Sequence, residues 1–263
     1  MGSLTDFLEN KLLDHTFENT AYVPPATVYI ALFTADPGES GSVVSEVSGN
    51  GYARKAIAFS AAANRKIIQN GQVTFPQCVG GGWGTITHWG IMSALTGGNM
   101  LAYGAFVSPI ATVVGNVPFI ADTITQITAQ NGTISNYLAH AWLNFVFRNT
   151  PFAQPNINVG FASAAVLDTD DGSTVTELNG FGYARVDFND WSNAIDGAVS
   201  NATDIDFPVP TGAWSIITHS FTIDSNVLGN GNILTYGQAQ PNQAPQLYDP
   251  VRFVAGAYDI SVN

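Results

Sequence analysis

Two short stretches of the chain place acidic, aromatic and basic side chains at the same spacing. EVSGNGYAR and ELNGFGYAR each begin with Glu and end with Arg. A carboxylate, a phenol and a guanidinium could serve acid–base chemistry, or they could form an ion pair across a glycine turn. We favour the turn and ion pair, because no second set of catalytic partners is visible beside either stretch. The recurring residues are Glu46, Gly49, Gly51, Tyr52 and Arg54 in the first copy and Glu177, Gly180, Gly182, Tyr183 and Arg185 in the second.

Two histidines recur as well, at the ends of WGTITH (His88) and WSIITH (His219). A catalytic base or a metal ligand needs convergent partners, and no Cys, Asp, Glu or second His lies at ligand spacing on the same strand. The acidic run Asp168–Gly172 has its Gly out of register for an EF-hand. We therefore predict structural histidines and a solvated acidic loop, with no catalytic residue, no metal and no cofactor.

Aromatic side chains could form a platform for a sugar ring. Trp83 and Trp214 recur at equivalent positions, which favours a shared packing role. Trp89 and Trp191 have no matched partner, so we single out these two as possible exposed aromatic contacts.

These recurrences belong to a duplication of the whole chain. Both the Glu–Arg motif and the histidine return 131 residues later, and the segment from Phe7 matches the segment from Tyr137. The order of landmarks is preserved, which chance does not produce. We predict two tandem domains, 1–130 and 131–263, joined by a short polar seam.

Each repeat begins with a helical pattern and continues with strand patterns. Thr5 or Asp6 can cap the first helix, and Ser135 or Asn136 the second. Stretches such as TVYIALF, TITHWGI and NMLAYGAF are rich in β-branched and aromatic residues and are separated by Gly, Pro and Asn. The expected fold is mainly β: two tandem β-sandwich domains, jelly-roll-like, each with an N-terminal amphipathic helix.

Charge and composition exclude several classes of partner. The net charge is −12 with no run of Lys or Arg, which excludes nucleic-acid binding and a polybasic membrane patch. No apolar stretch reaches the length of a membrane span, and the N-terminus lacks the pattern of a secretory signal. Cys78 is the single cysteine, which fits folding in a reducing cytoplasm. Only 11% of residues are charged, so we expect much of the surface to be covered by partner proteins. We also expect the chain to form a homo-oligomer, with a trimer as one option.

The first repeat, over residues 3–128, resembles a small domain common among structural proteins of tailed bacteriophages, often labelled tail-fibre-like. The likeness is carried by LTDFLENKLLDHTF, YVPPATVYIALFTADPGE, EVSGNGYARKAIAF, WGTITHWGI and GGNMLAYGAF. The second repeat keeps the skeleton but loses ALFTADPGE, and HSFTI replaces HWGI. The resemblance implies a virion protein and carries over no catalytic residue.

The first hypothesis is a non-enzymatic capsid decoration or cement protein that binds the major capsid protein. Residues 1–130 carry a net charge of −3 and residues 131–263 carry −9, so the first repeat would dock on the shell. The alternative is a tail or tail-fibre protein that binds tail proteins and contacts a host-surface glycan. A glycan depolymerase is the least favoured, because acidic residues at duplicated positions are sparse.

Overall fold

A computed structural model describes residues 2–129 and 133–262. About 35% of the chain lies in strands and 9% in helices. The predicted class is confirmed: the chain is mainly β, with a curled multi-stranded sheet and a helix near the start of each repeat, consistent with the β-sandwich class. The jelly-roll strand order stays a prediction.

The chain divides into two compact units that split the helices between them. The helices are α1 (Asp6–Thr16) and α2 (Asn136–Arg148). The first unit comprises Met1–Lys11, Val23–Gln130 and His140–Phe152, and the second comprises Leu12–Tyr22, Asn131–Ala139 and Ala153–Asn263. Each unit therefore contains part of both helices.

The first unit is built on a seven-stranded sheet with the order β3-β2-β6-β7-β1-β9-β4. Its neighbouring strands are antiparallel except for β1 and β9, which pair in parallel. A separate ribbon joins β5 and β8. The strands are β1 (Gly2–Leu4), β2 (Val28–Phe33), β3 (Lys55–Ile57), β4 (Lys66–Ile68), β5 (Val73–Thr74), β6 (Gly84–Met92), β7 (Met100–Thr112), β8 (Phe119–Ile120) and β9 (Gln126–Thr128).

The second unit repeats the first four strands of this order, β3-β2-β6-β7, in a four-stranded antiparallel sheet with the order β11-β10-β14-β15. Two ribbons, β12 with β17 and β13 with β16, complete it. The strands are β10 (Asn158–Ala162), β11 (Val186–Asp187), β12 (Ala198–Ser200), β13 (Ile205–Asp206), β14 (Ile217–Ile223), β15 (Ile233–Gln243), β16 (Arg252–Phe253) and β17 (Asp259–Ser261).

A buried hydroxyl residue precedes each helix and ties it to the sheet. Thr5 Oγ1 donates a hydrogen bond to Met100 O at 2.7 Å. Ser135 Oγ donates to Ile233 O at 2.5 Å and accepts from Leu138 N at 3.1 Å, which satisfies one of the free amides at the start of α2. The capping residue therefore also sets where its helix begins relative to its sheet.

An aromatic side chain at or just beyond the end of each helix packs against another aromatic ring. In the first unit, Phe147 of α2 packs on Phe59 with ring centroids 5.4 Å apart. In the second unit, Phe17 beyond the end of α1 packs edge-on against Trp191 at 5.2 Å. Such ring pairs stabilise the fold beyond the area that they bury.

Trp89 on β6 lies where two strands carry glycine. A Cβ added to Gly104 on β7 would lie 2.6 Å from Trp89 Cζ2 and 2.9 Å from Gly2 Cα. The indole therefore occupies the space that side chains at Gly2 and Gly104 would fill. In the second unit, a Cβ at the equivalent Gly237 would meet nothing within 4 Å.

Gly104→Ala should therefore destabilise the protein by about 1–3 kcal/mol, because the added methyl group overpacks a rigid ring and a strand backbone. Gly237→Ala is the matched control and should change the free energy of unfolding by less than about 0.5 kcal/mol. Urea unfolding followed by tryptophan fluorescence measures both variants. An equal loss in the two variants would contradict the close packing at Trp89.

Candidate functional site

The repeated motif forms the same tight turn in both units. Three consecutive residues have positive φ: 71°, 49° and 80° at Gly49, Asn50 and Gly51. The second turn repeats this with 84°, 49° and 80°, and its central residue is Phe181. Glycine is needed at Gly51, because a Cβ there would lie 2.8 Å from Gln77 O.

The turn brings Glu46 and Arg54 together in a two-point ion pair. Arg54 Nε donates to Glu46 Oε1 at 2.7 Å, and Arg54 Nη2 donates to Glu46 Oε2 at 2.6 Å. The remaining nitrogen, Nη1, donates to the backbone oxygens of Ala94 and Gly97 at 2.9 and 2.6 Å. The guanidinium thereby joins the turn to the loop between β6 and β7.

The second copy is the more deeply buried of the two. Arg185 Nε and Nη2 donate to the two oxygens of Glu177 at 2.8 and 2.7 Å. The exposed fraction is 0% for the Arg185 side chain and 7% for that of Glu177. Arg185 Nη1 donates to the backbone oxygens of Ser225, Val227 and Asn230, at distances from 2.7 to 2.9 Å.

A tyrosine in each copy connects the ion pair to the sheet. Tyr52 Oη accepts from Leu32 N at 3.0 Å and lies 3.3 Å from Glu46 Oε1, to which it donates. Tyr183 Oη accepts from Phe161 N and donates to Glu177 Oε1, both at 2.9 Å. Burial, before any other cause, raises the pKa of both phenols, so they stay protonated and act as donors.

A tryptophan packs on each turn and donates a hydrogen bond to its central residue. Trp83 Nε1 donates to Asn50 O, and Trp214 Nε1 donates to Phe181 O, both at 3.0 Å. Each indole meets the tyrosine of its copy edge-on, with centroids 5.3 and 5.4 Å apart. Trp83 and Trp214 therefore perform the shared packing role that their spacing indicates.

The chemistry of this arrangement is internal to the fold. The carboxylates, guanidinium groups and phenols bond to one another and to backbone groups of neighbouring loops. A depression of about 600 Å³ borders Glu46 and Arg54, and its other walls include the apolar Val43, Val44 and Leu95. We assign the motif the role of a structural joint between turn, strand and loop.

The recurrent histidines each contact the preceding threonine. His88 Nδ1 lies 2.8 Å from Thr87 Oγ1, and His219 Nδ1 lies 3.0 Å from Thr218 Oγ1. His88 Nε2 is also 3.9 Å from Asp36 Oδ2. Among the residues that the structure describes, neither position gathers the convergent ligands that a metal centre needs.

The expectation of exposed aromatic contacts at Trp89 and Trp191 is wrong. Trp89 is 1% exposed and Trp191 is 4% exposed. Trp89 fills the space over Gly2 and Gly104, and the rings of Phe17, Phe188 and Tyr258 surround Trp191. Neither tryptophan has an equivalent in the other repeat because the cores of the two units are packed differently. Trp83, Trp142 and Trp214 are buried as well.

The acidic loop at 168–172 forms hydrogen bonds with the residues that follow it and with β15. Asp171 Oδ1 accepts from Ser173 N at 2.8 Å and from Thr174 N at 3.1 Å. The Ser173 hydroxyl also donates to Asp171 Oδ1. This bond has the largest effect on the pKa of Asp171, and together with the amide bonds it lowers that pKa. Asp168 Oδ1 accepts a hydrogen bond from the Tyr236 hydroxyl.

Sequence reasoning missed a different acidic cluster, at the beginning of α1. Within residues 2–129 and 133–262, the carboxylates of Asp6, Glu9 and Glu39 supply oxygens that all lie within 4.8 Å of one another. Burial, and then the charges of Glu39 and Asp6, raise the pKa of Glu9 to about 7. The spacing of Asp6 and Glu9 on one helix face was the available signal, but nothing in the sequence indicated that Glu39 would join them.

The fold and the duplicated joint define the class of the protein: it is a mainly β protein built from two tandem repeats. Neither helix in the described part of the chain is long and apolar enough to cross a membrane. A family model described as podophage GP4 fiber I protein gp80 matches residues 3–128 and again residues 133–261. The chain belongs to this family and contains two tandem copies of its domain, as the sequence resemblance predicted. A search of curated proteins found none with significant similarity to the chain.

Glu177→Ala should destabilise the protein by about 3–5 kcal/mol, because it leaves Arg185 charged, buried and without its counterion. Arg252→Gln is the control within the same unit: Arg252 pairs with Asp204 and Asp206, but its side chain is 49% exposed. That variant should cost less than about 1 kcal/mol. Denaturant unfolding compares the two, and similar losses would argue against a structural joint.

Proposed function

We propose that the chain is a non-enzymatic component of a podophage fibre, which acts through contacts with other virion proteins. The observation that carries the proposal is the family match, which covers both repeats. The match directly supports a structural phage protein of the fibre type. Beyond the match, we propose where the protein lies in the virion and which proteins it contacts.

The duplicated joint supports a role without catalysis. Its polar and charged groups form internal bonds, among them the Arg54 guanidinium and the Tyr183 phenol. A catalytic carboxylate or phenol would have to face a substrate. The motif therefore contributes stability to both repeats and leaves function to their surfaces.

The surface supports work through protein contacts. Large apolar side chains are exposed in both units; among them Val107 is fully exposed, Val44 is 94% exposed and Tyr248 is 75% exposed. In a chain of which only 11% is charged, such side chains suit surfaces that partner proteins cover. We propose tail and fibre proteins as the first partners, ahead of the major capsid protein, and a homo-oligomer as the assembled form.

The charge difference between the repeats fits a fibre as well as a capsid decoration. A less acidic repeat can dock on any virion surface, so the −3 and −9 charges do not favour the shell. The family description supports the fibre. A host glycan is not part of the proposal, because the buried tryptophans do not form a sugar platform.

Immunogold labelling of intact virions tests the position. Antibody against the purified chain should label the tail or its fibres, while antibody against the major capsid protein labels the shell of the same particles. Label spread over the capsid shell would overturn the fibre proposal in favour of decoration. Antibody that has been adsorbed with purified chain is the control, and should leave the particles unlabelled.

A further inference from the structure

The acidic cluster of the first unit is held together by the backbone. Asp6 is the first residue of α1, and its amide donates to Glu39 O at 3.1 Å. This bond draws the loop that follows β2 to the start of the helix. Glu9, one helical turn later, faces the same point, so three carboxylates from two segments converge.

One member of this cluster has a buried carboxylate oxygen without a hydrogen-bond donor in the described part of the chain. Glu9 is 2% exposed, and within the described residues its Oε2 atom has no hydrogen-bond partner. A buried carboxylate oxygen in this state is unfavourable, and here two more carboxylates increase the cost. Among the residues that the structure describes, the buried oxygen therefore lacks both a hydrogen-bond donor and a positive charge beside it.

In the described part of the second unit, the equivalent position has neither the buried acidic residue nor the cluster of three carboxylates. Its equivalent backbone bond runs from Asn136 N to Asp168 O. The helix residue one turn later is Ala139, and the Asp168 carboxylate already accepts from Tyr236. The duplication therefore contains one copy with three convergent carboxylates and one copy with a single, satisfied carboxylate.

We propose that Asp6, Glu9 and Glu39 bind one divalent cation, with Ca²⁺ preferred. Ca²⁺ takes oxygen ligands at about 2.3–2.6 Å, so oxygens on opposite sides of one ion lie about 4.6–5.2 Å apart. Oxygens within 4.8 Å of one another can therefore share a single ion. The start of α1 opposes a cation with only about half a unit charge, which three carboxylates outweigh.

Bound Ca²⁺ would supply the missing partner of Glu9 and lock the Glu39 loop onto α1. Ca²⁺ is favoured over Mg²⁺ because it tolerates irregular geometry and additional water ligands, whereas Mg²⁺ requires near-octahedral ligands. An ion that binds only the folded state stabilises the first unit by an amount that grows with the logarithm of its concentration relative to its dissociation constant. The site is independent of the fibre assignment.

Calorimetric titration of the full chain with CaCl2, after treatment with EDTA and desalting, tests the site directly. We expect saturable binding of one ion per chain, and a melting temperature that rises with CaCl2 concentration. MgCl2 at equal concentration should raise the melting temperature less. No saturable binding would overturn the proposal, and a larger shift with MgCl2 would overturn the preference for Ca²⁺.

Two variants reproduce the second unit's residues in the first unit: Asp6→Asn and Glu9→Ala. Both should lose at least ten-fold in Ca²⁺ affinity, and Glu9→Ala in EDTA should melt no lower than the original chain, because the unpaired carboxylate is gone. Asp259→Asn removes one exposed charge on β17 and should retain full Ca²⁺ binding. Undiminished binding in Glu9→Ala would overturn the site, and should that variant not fold, the titration of the original chain decides.

Discussion

Each repeat depends on a buried arginine whose charge must be neutralised within the protein. Arg185 is removed from water, so its guanidinium needs the Glu177 carboxylate and the backbone oxygens that surround it. These partners come from the segment before the turn and from the loop between β14 and β15. The ion pair can form only when turn, sheet and loop are all in place, which couples their folding.

The same constraint explains why the motif survives in both copies while its surroundings differ. The middle of the turn is Asn50 in one copy and Phe181 in the other; both have positive φ and both offer a backbone oxygen to a tryptophan. The helix residue one turn from the cap is Glu9 in one copy and Ala139 in the other. Residues outside the joint are therefore free to acquire separate roles, and the candidate cation site is one such change.

Several strands followed from local pattern alone. NMLAYGAF predicted the first half of β7, and TITHWGI predicted β6, because β-branched and aromatic residues between glycines suit a half-buried sheet. β1 was not predicted. Gly2–Leu4 is three residues long and lacks alternation, and it is a strand because β7 and β9 lie on either side of it.

The sequence by itself determined the duplication, the mainly β class and the pairing of Glu46 with Arg54, because these depend on periodicity and on residues close together in the chain. Only the tertiary structure decided the burial of Trp89 and Trp191, since burial depends on which distant strands carry glycine or aromatic residues opposite the ring. It alone also brought Glu39 to Asp6 and Glu9, across a loop whose path no local pattern specifies. Side-chain chemistry within a turn is local, but the surroundings of a side chain are not.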